Sequence, residues 1–93
     1  MIEQKAGCLA VTVPLVMANA HGLLDAGRAL LRAGEVVFDF AAVTEADSSA
    51  VAFMLGLVRA SGEAGAYVKF SNVPVGVRSL AELYGVAELF SFV

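Results

Sequence analysis

The chain has 93 residues, enough for one domain near the lower end of the usual size range, and 59% of them are hydrophobic. Its net charge of −3 and its six scattered Lys and Arg residues argue against a nucleic-acid binder and against a polybasic contact with anionic lipid. The single cysteine, Cys8, excludes an internal disulfide framework and fits a reducing, cytoplasmic compartment.

The first third of the chain predicts a strand followed by a helix. Residues 8–13 alternate between two faces, and Pro14 ends this strand because proline has no N–H to donate to a neighbouring strand. Residues 18–33 form an amphipathic pattern, with Asn19 as the expected N-cap and Gly34 placed to stop the helix.

The rest of the chain continues the alternation of strands and helices. Residues 35–40 and 66–70 have the period of strands, and the helical segment 48–60 between them completes a right-handed βαβ unit. A last helix is expected from Pro74 to Gly85, followed by an apolar tail. We therefore predict a single α/β domain over residues 1–93, with a mixed sheet of about four strands and helices mainly on one face.

The predicted helix at residues 48–60 is apolar on two opposite sides. One stripe, the natural core face, consists of Val51, Met54, Leu55 and Val58. The other side, where a surface helix should carry charge, consists of Phe53, Gly56, Leu57 and Ala60. Such a helix is either buried on every side or docks a partner, and we expect docking because the chain has few elements to cover it.

This helix begins at the sequence Asp47-Ser48-Ser49. One interpretation is a helix cap, because Asp and Ser accept hydrogen bonds from free backbone N–H groups and Asp complements the helix dipole. The other is a phosphorylatable serine beside the docking face, where a phosphate would add about −1.5 to −2 charge. The two are compatible, since one residue can cap the helix while its neighbour is modified.

Two segments of the chain carry a family resemblance. Residues 37–40 (Val-Phe-Asp-Phe), followed by residues 47–52 (Asp-Ser-Ser-Ala-Val-Ala), are similar to the apolar strand and the Asp-Ser/Thr-Ser/Ala-Gly-Leu motif of the STAS domains, the family of anti-sigma-factor antagonists and sulfate-transporter tails. Ala50 departs from this pattern, in which Gly is usual. Residues 70–74 and 80–90 resemble the ending of the MlaB-like members, which are STAS subunits of ABC-type phospholipid-transport systems.

The resemblance implies a non-catalytic, cytoplasmic adaptor that binds the ATPase of an ABC-type phospholipid transporter, peripheral to the inner-membrane complex. In that family the residue after the Asp lies at the ATPase contact, which here is Ser48. In anti-sigma-factor antagonists a partner kinase phosphorylates the same position, so a phosphorylation-switched antagonist is the alternative. The expected partner-binding residues are Asp47, Ser48, Ser49, Ala52, Phe53, Gly56 and Leu57.

No motif in the sequence predicts enzyme chemistry. The chain has neither a G-x-x-x-x-G-K-[ST] nor a G-x-G-x-x-G sequence to hold a nucleotide phosphate. His21 is the only histidine, so a His-based metal cluster cannot form. The longest apolar run, residues 50–58, is shorter than the roughly 20 residues of a membrane span. We expect no catalysis, metal or cofactor, and no direct membrane insertion.

Overall fold

The computed structural model describes all 93 residues. The elements in chain order are β1 (Ile2–Lys5), β2 (Cys8–Val11), α1 (Met17–Ala29), β3 (Gly34–Asp39), α2 (Ser49–Ala64), β4 (Ala66–Ser71), α3 (Val75–Leu83), a 3₁₀ turn (Ala87–Leu89) and β5 (Ser91–Phe92). The five strands form one mixed sheet in the order β1-β2-β3-β4-β5. β1 is antiparallel to β2, and the remaining neighbours are parallel.

This architecture confirms the predicted α/β fold with a mixed sheet and adds one strand to the expected number. β3 and β4 form the centre, with Val36 opposite Val68 and Phe38 opposite Phe70, and all four side chains are buried. On the other face of the same strands, Glu35 pairs with Lys69 at 2.8 Å and remains accessible to solvent. The sheet is therefore covered on one face and wet on the other.

Several predicted boundaries differ from the structure. The helix expected at residues 18–33 is α1, which begins one residue earlier and ends at Ala29, with Leu30 as its C-cap. Asn19 is not the N-cap: it lies inside the helix, and its Nδ2 donates to the Pro14 carbonyl at 2.9 Å. α2 runs four residues further than expected, to Ala64, because Gly65 is the residue that adopts the left-handed conformation (φ +65°) that ends it.

α2 lies in the middle of the helical layer and is held closely by α1. A methyl group on Gly27 of α1 would lie 3.0 Å from Leu57 Cδ2 and 3.6 Å from Phe53 Cε1. A methyl group on Gly56 of α2 would lie only 2.7 Å from both terminal carbons of Leu24. Each helix thus has a glycine where side chains of the other helix pack against it. The two helices therefore lie closer together than they could with larger residues at these two positions.

Candidate partner-binding site

The three helices all begin at one edge of the sheet, which we call the helix-start edge. β2, β3 and β4 are parallel, so their carboxyl ends lie together, and α1, α2 and α3 follow them in turn. A bridge between Leu15 and Ala46 joins the connections that precede α1 and α2. Two hydrogen bonds hold this bridge, Leu15 N–H to the Glu45 carbonyl at 2.9 Å and Asp47 N–H to the Leu15 carbonyl at 3.0 Å.

Asp47 connects the first turns of two helices. Its Oδ1 accepts the Ser49 N–H at 2.8 Å, and its Oδ2 accepts the Met17 N–H at 3.2 Å. Hydrogen bonding from Ser49, through its side chain and its backbone N–H, holds the pKa of Asp47 below the ordinary value; burial opposes this effect, and the Met17 N–H adds a smaller lowering. Asp47 is therefore ionised at neutral pH and caps α2.

Ser48 is exposed beside this cap. Its side chain makes no capping hydrogen bond, and its backbone is already helical at φ −60° and ψ −18°. The capping interpretation of the sequence thus applies to Asp47, while the Ser48 hydroxyl is accessible from solvent. A fixed backbone with a free hydroxyl is suited to contact with another molecule, because little order is lost on binding.

A second carboxylate fixes the neighbouring connection. Asp39 Oδ1 at the end of β3 accepts hydrogen bonds from Ala41 N–H at 3.2 Å, Ser71 Oγ at 3.1 Å and Asn72 Nδ2 at 2.8 Å. Burial raises the pKa of Asp39, but the hydrogen bonds from Asn72, Ala41 and Ser71 outweigh it, with a small contribution from Lys5, and the net pKa is lowered. This cluster joins the ends of β3 and β4 and directs the loop that leads to Asp47.

Two large apolar side chains project from the helix-start edge. Met17 at the start of α1 is 77% exposed, and Val75 at the start of α3 is 81% exposed. Sequence reasoning did not single out either residue. The only signal was their position, since each is an apolar residue at a helix start that directly follows a strand and its connection.

The remaining residues predicted to bind a partner divide into two groups. Ala52 is exposed one turn after Ser48, and Gly56 is half-buried beneath Leu24. Phe53 and Leu57, in contrast, are 1% and 0% exposed. The prediction of an external apolar face is therefore wrong for these two side chains. They belong to the core because α1 packs on that side of α2 through the Gly27 and Gly56 approaches.

The structure contains no cluster of three or more His, Cys, Asp or Glu residues placed to hold a metal ion. His21 is exposed and lies 3.5 Å from Asp25 on the outer side of α1. No helix has the length and apolar character needed to cross a membrane.

Comparison with solved structures identifies the fold. An anti-sigma-factor antagonist (STAS) domain protein from Planctomyces limnophilus superposes with a TM-score of 0.74 and 12% identity over 99% of this chain and 86% of that one. The unphosphorylated anti-sigma factor antagonist SpoIIAA gives 0.69 and 16% identity over 100% and 86%. A putative anti-sigma factor antagonist from Thermotoga maritima gives 0.69 and 12% identity over 99% and 83%.

Comparison of sequences identifies the family. No curated protein sequence matches the chain. A family model described as "Mlab, STAS domain" matches residues 2–91, which is nearly the whole chain. STAS domains are generally non-catalytic and act by protein–protein interaction. The chain belongs to the STAS-domain family in its MlaB-like form.

Proposed function

We propose that the protein is a non-catalytic adaptor that binds and supports the ATPase of an ABC-type, Mla-like phospholipid transporter. It acts on the cytoplasmic side, peripheral to the inner-membrane complex. The observation that carries this proposal is the match of the MlaB-type STAS model over residues 2–91. The fold similarity to anti-sigma-factor antagonists is compatible with it, because it concerns the fold alone.

The contact surface that we propose is the helix-start edge. Its centre is formed by Asp47, Ser48 and Ser49, and it continues along the exposed side of α2 to Ala52. The two hydrogen bonds of Asp47 hold the first turns of α1 and α2 together before a partner arrives. Such preorganisation favours affinity, because fewer groups must be ordered on binding. In this proposal Phe53 and Leu57 do not contact the partner; they pack in the core and fix the position of α2.

The experiment is co-purification with the ATPase encoded beside this gene, together with the ATPase activity of the complex. Ser48→Asp should weaken the complex, because it places a charge at the centre of the contact, where desolvation is costly. Ser91→Asp is the matched control, since Ser91 is an exposed serine on β5, away from the helix-start edge. Failure of the wild-type protein to bind the ATPase, or equal binding by the two variants, would contradict the proposal.

One observation supports the alternative of an anti-sigma-factor antagonist switched by a kinase. The Ser48 hydroxyl is exposed at a helix start and makes no capping bond, so a kinase could reach it without unfolding α2. In this case a partner kinase would phosphorylate Ser48, and the phosphate would prevent rebinding by charge and desolvation. Phosphorylation of wild type but not of Ser48→Ala by a kinase from a sigma-factor operon would favour this function.

A further inference from the structure

A groove lies on the helix-start edge between the loop that precedes α2 and the first turns of α3. Its volume is about 290 Å³. Val43 and Val77 line its apolar floor and are 8% and 3% exposed. The exposed residues Thr44, Glu45 and Gly76 form part of its rim. The groove lies at the lower limit of the roughly 300–1,000 Å³ of typical small-molecule pockets, and it is large enough to admit a side chain of a partner.

The charge of the groove has one sign. Glu45 is the only charged residue that lines it, and neither of the molecule's two salt bridges involves Glu45. None of the chain's six Lys and Arg residues lines the groove. Even the neighbouring Arg78 on α3 is turned away, with its guanidinium 4.3 Å from the centre of the Phe92 ring. The nearby Asp47 is also acidic, so a complementary charge at this groove would be supplied by another molecule.

We propose that this groove receives an apolar side chain of the partner protein, and that Glu45 pairs with a Lys or Arg next to that side chain. This inference rests on the proposed function and adds the chemistry of the partner's contact segment to it. The groove supplies the apolar floor for the anchor, and Glu45 selects the segment by charge. Like-charge contacts at an interface are costly, so an acidic segment would be rejected.

Two pairs of variants separate this contact from a loss of folding. Glu45→Lys reverses the charge at the groove, and Glu63→Lys makes the same change at an exposed position near the end of α2. Gly76→Leu adds a side chain at the rim, where a Cβ meets nothing within 4 Å. Gly62→Leu is its control, since Gly62 is also helical and a Cβ there also meets nothing within 4 Å. Both leucines suit a helix better than glycine does.

Binding of each variant to the neighbouring ATPase is measured by biolayer interferometry at two salt concentrations. Glu45→Lys and Gly76→Leu should each weaken binding by about tenfold or more, and the loss of the Glu45 charge should reduce the salt dependence of the association rate. Glu63→Lys and Gly62→Leu should bind like wild type. Wild-type affinity in both groove variants would overturn the inference while leaving the adaptor function standing.

A second probe tests the groove without the ATPase. Amide chemical shifts are recorded by NMR while a short acetylated and amidated peptide, Ala-Leu-Lys-Ala-Arg, is added, with Ala-Leu-Glu-Ala-Glu as its control. The basic peptide should shift residues 43–46 and 76–80, and Gly76→Leu should abolish the effect. If the ATPase does not bind wild type, the proposed function fails, and these shifts alone decide the inference. Absence of shifts, or equal shifts with the acidic peptide, would then refute it.

Discussion

Replacement of Phe53 by alanine tests whether this side chain belongs to the core, as the structure shows, or faces a partner, as the sequence pattern predicted. The Phe53 ring is 1% exposed and lies between two other aromatic rings. Its centroid is 6.3 Å from that of Phe38, in an edge-to-face arrangement, and 6.2 Å from that of Phe40. The α1 glycine Gly27 approaches the same ring from the helical side. The variant therefore opens a cavity where the sheet, α1 and α2 meet.

The cost of this cavity is large for so small a domain. Buried Phe→Ala substitutions lose about 3–5 kcal/mol, and the two aromatic contacts place Phe53 in the upper part of that range. A chain of 93 residues has a free energy of unfolding of about 5–14 kcal/mol at the usual value per residue. At about 4–8 °C per kcal/mol, we expect the melting temperature to fall by on the order of 20 °C.

The assay is thermal unfolding followed by circular dichroism, with Glu63→Gln as the control. Glu63 is an exposed residue near the end of α2, outside the proposed contact surface, and exposed substitutions usually change stability by less than about 0.5 kcal/mol. Binding to the ATPase is measured below the melting temperature of each variant, where both should bind. A Phe53→Ala protein that melts like Glu63→Gln but no longer binds would show that the ring faces the partner, and the assignment of Phe53 to the core would be refuted.

Three further predictions concern stability and local order. In urea unfolding, Gly27→Ala should destabilise by about 1–2 kcal/mol because its methyl group meets Leu57 at 3.0 Å, whereas Gly62→Ala should stabilise by about 0.4–1 kcal/mol. The pKa of Asp39 is lower in the folded state than its ordinary value of 3.8. Its stabilisation is therefore complete above about pH 5 and is lost as the pH falls through 3.8 and then through the lower folded-state pKa; Asp39→Asn should flatten this acid dependence, measured by urea unfolding at each pH. Asp47→Ala removes an acceptor shared by two helix starts, so hydrogen exchange should become faster in the first turns of both α1 and α2, and unchanged exchange in α1 would contradict the bridging role.

The central strands could be predicted because their side chains alternate strictly. Val36 and Phe38 of β3, and Val68 and Phe70 of β4, occupy every second position and are all buried. The outer strands gave weaker signals. β1 contains the mostly polar sequence Ile-Glu-Gln-Lys, and β5 has two residues, so neither shows a period that can be recognised. The only hint of a hairpin in the sequence was Gly7. In the structure this residue lies in the turn between β1 and β2 with φ +82°.

The cap at the start of α2 could be predicted from the sequence, and the burial of the second apolar face of this helix could not. Asp47 was a candidate cap because Asp before an apolar helix has a known local geometry. The role of Asp47 and Ser48 in binding a partner stays a prediction. The second apolar face of α2 was misassigned because the pattern of one helix does not show how many neighbours it has. The close packing of α1 on α2 depends on Gly27 of α1 and Gly56 of α2. A glycine in a helical pattern does not by itself indicate that another helix packs against it.

Because three helices begin at one edge of the sheet, the residues that could change to suit a new partner are largely different from those that stabilise the fold. The exposed residues that we propose to contact a partner lie mostly in the connections after β2, β3 and β4, while most of the core side chains lie in the strands and helices themselves. A chain of this kind can acquire a different partner through substitutions in those connections while its sheet register is preserved. The opposite edge has the turn glycines Gly7 and Gly65 and the first residue of β3, Gly34, all with positive φ. An affinity tag or fluorophore attached beside those turns would report on binding from the far end of the molecule.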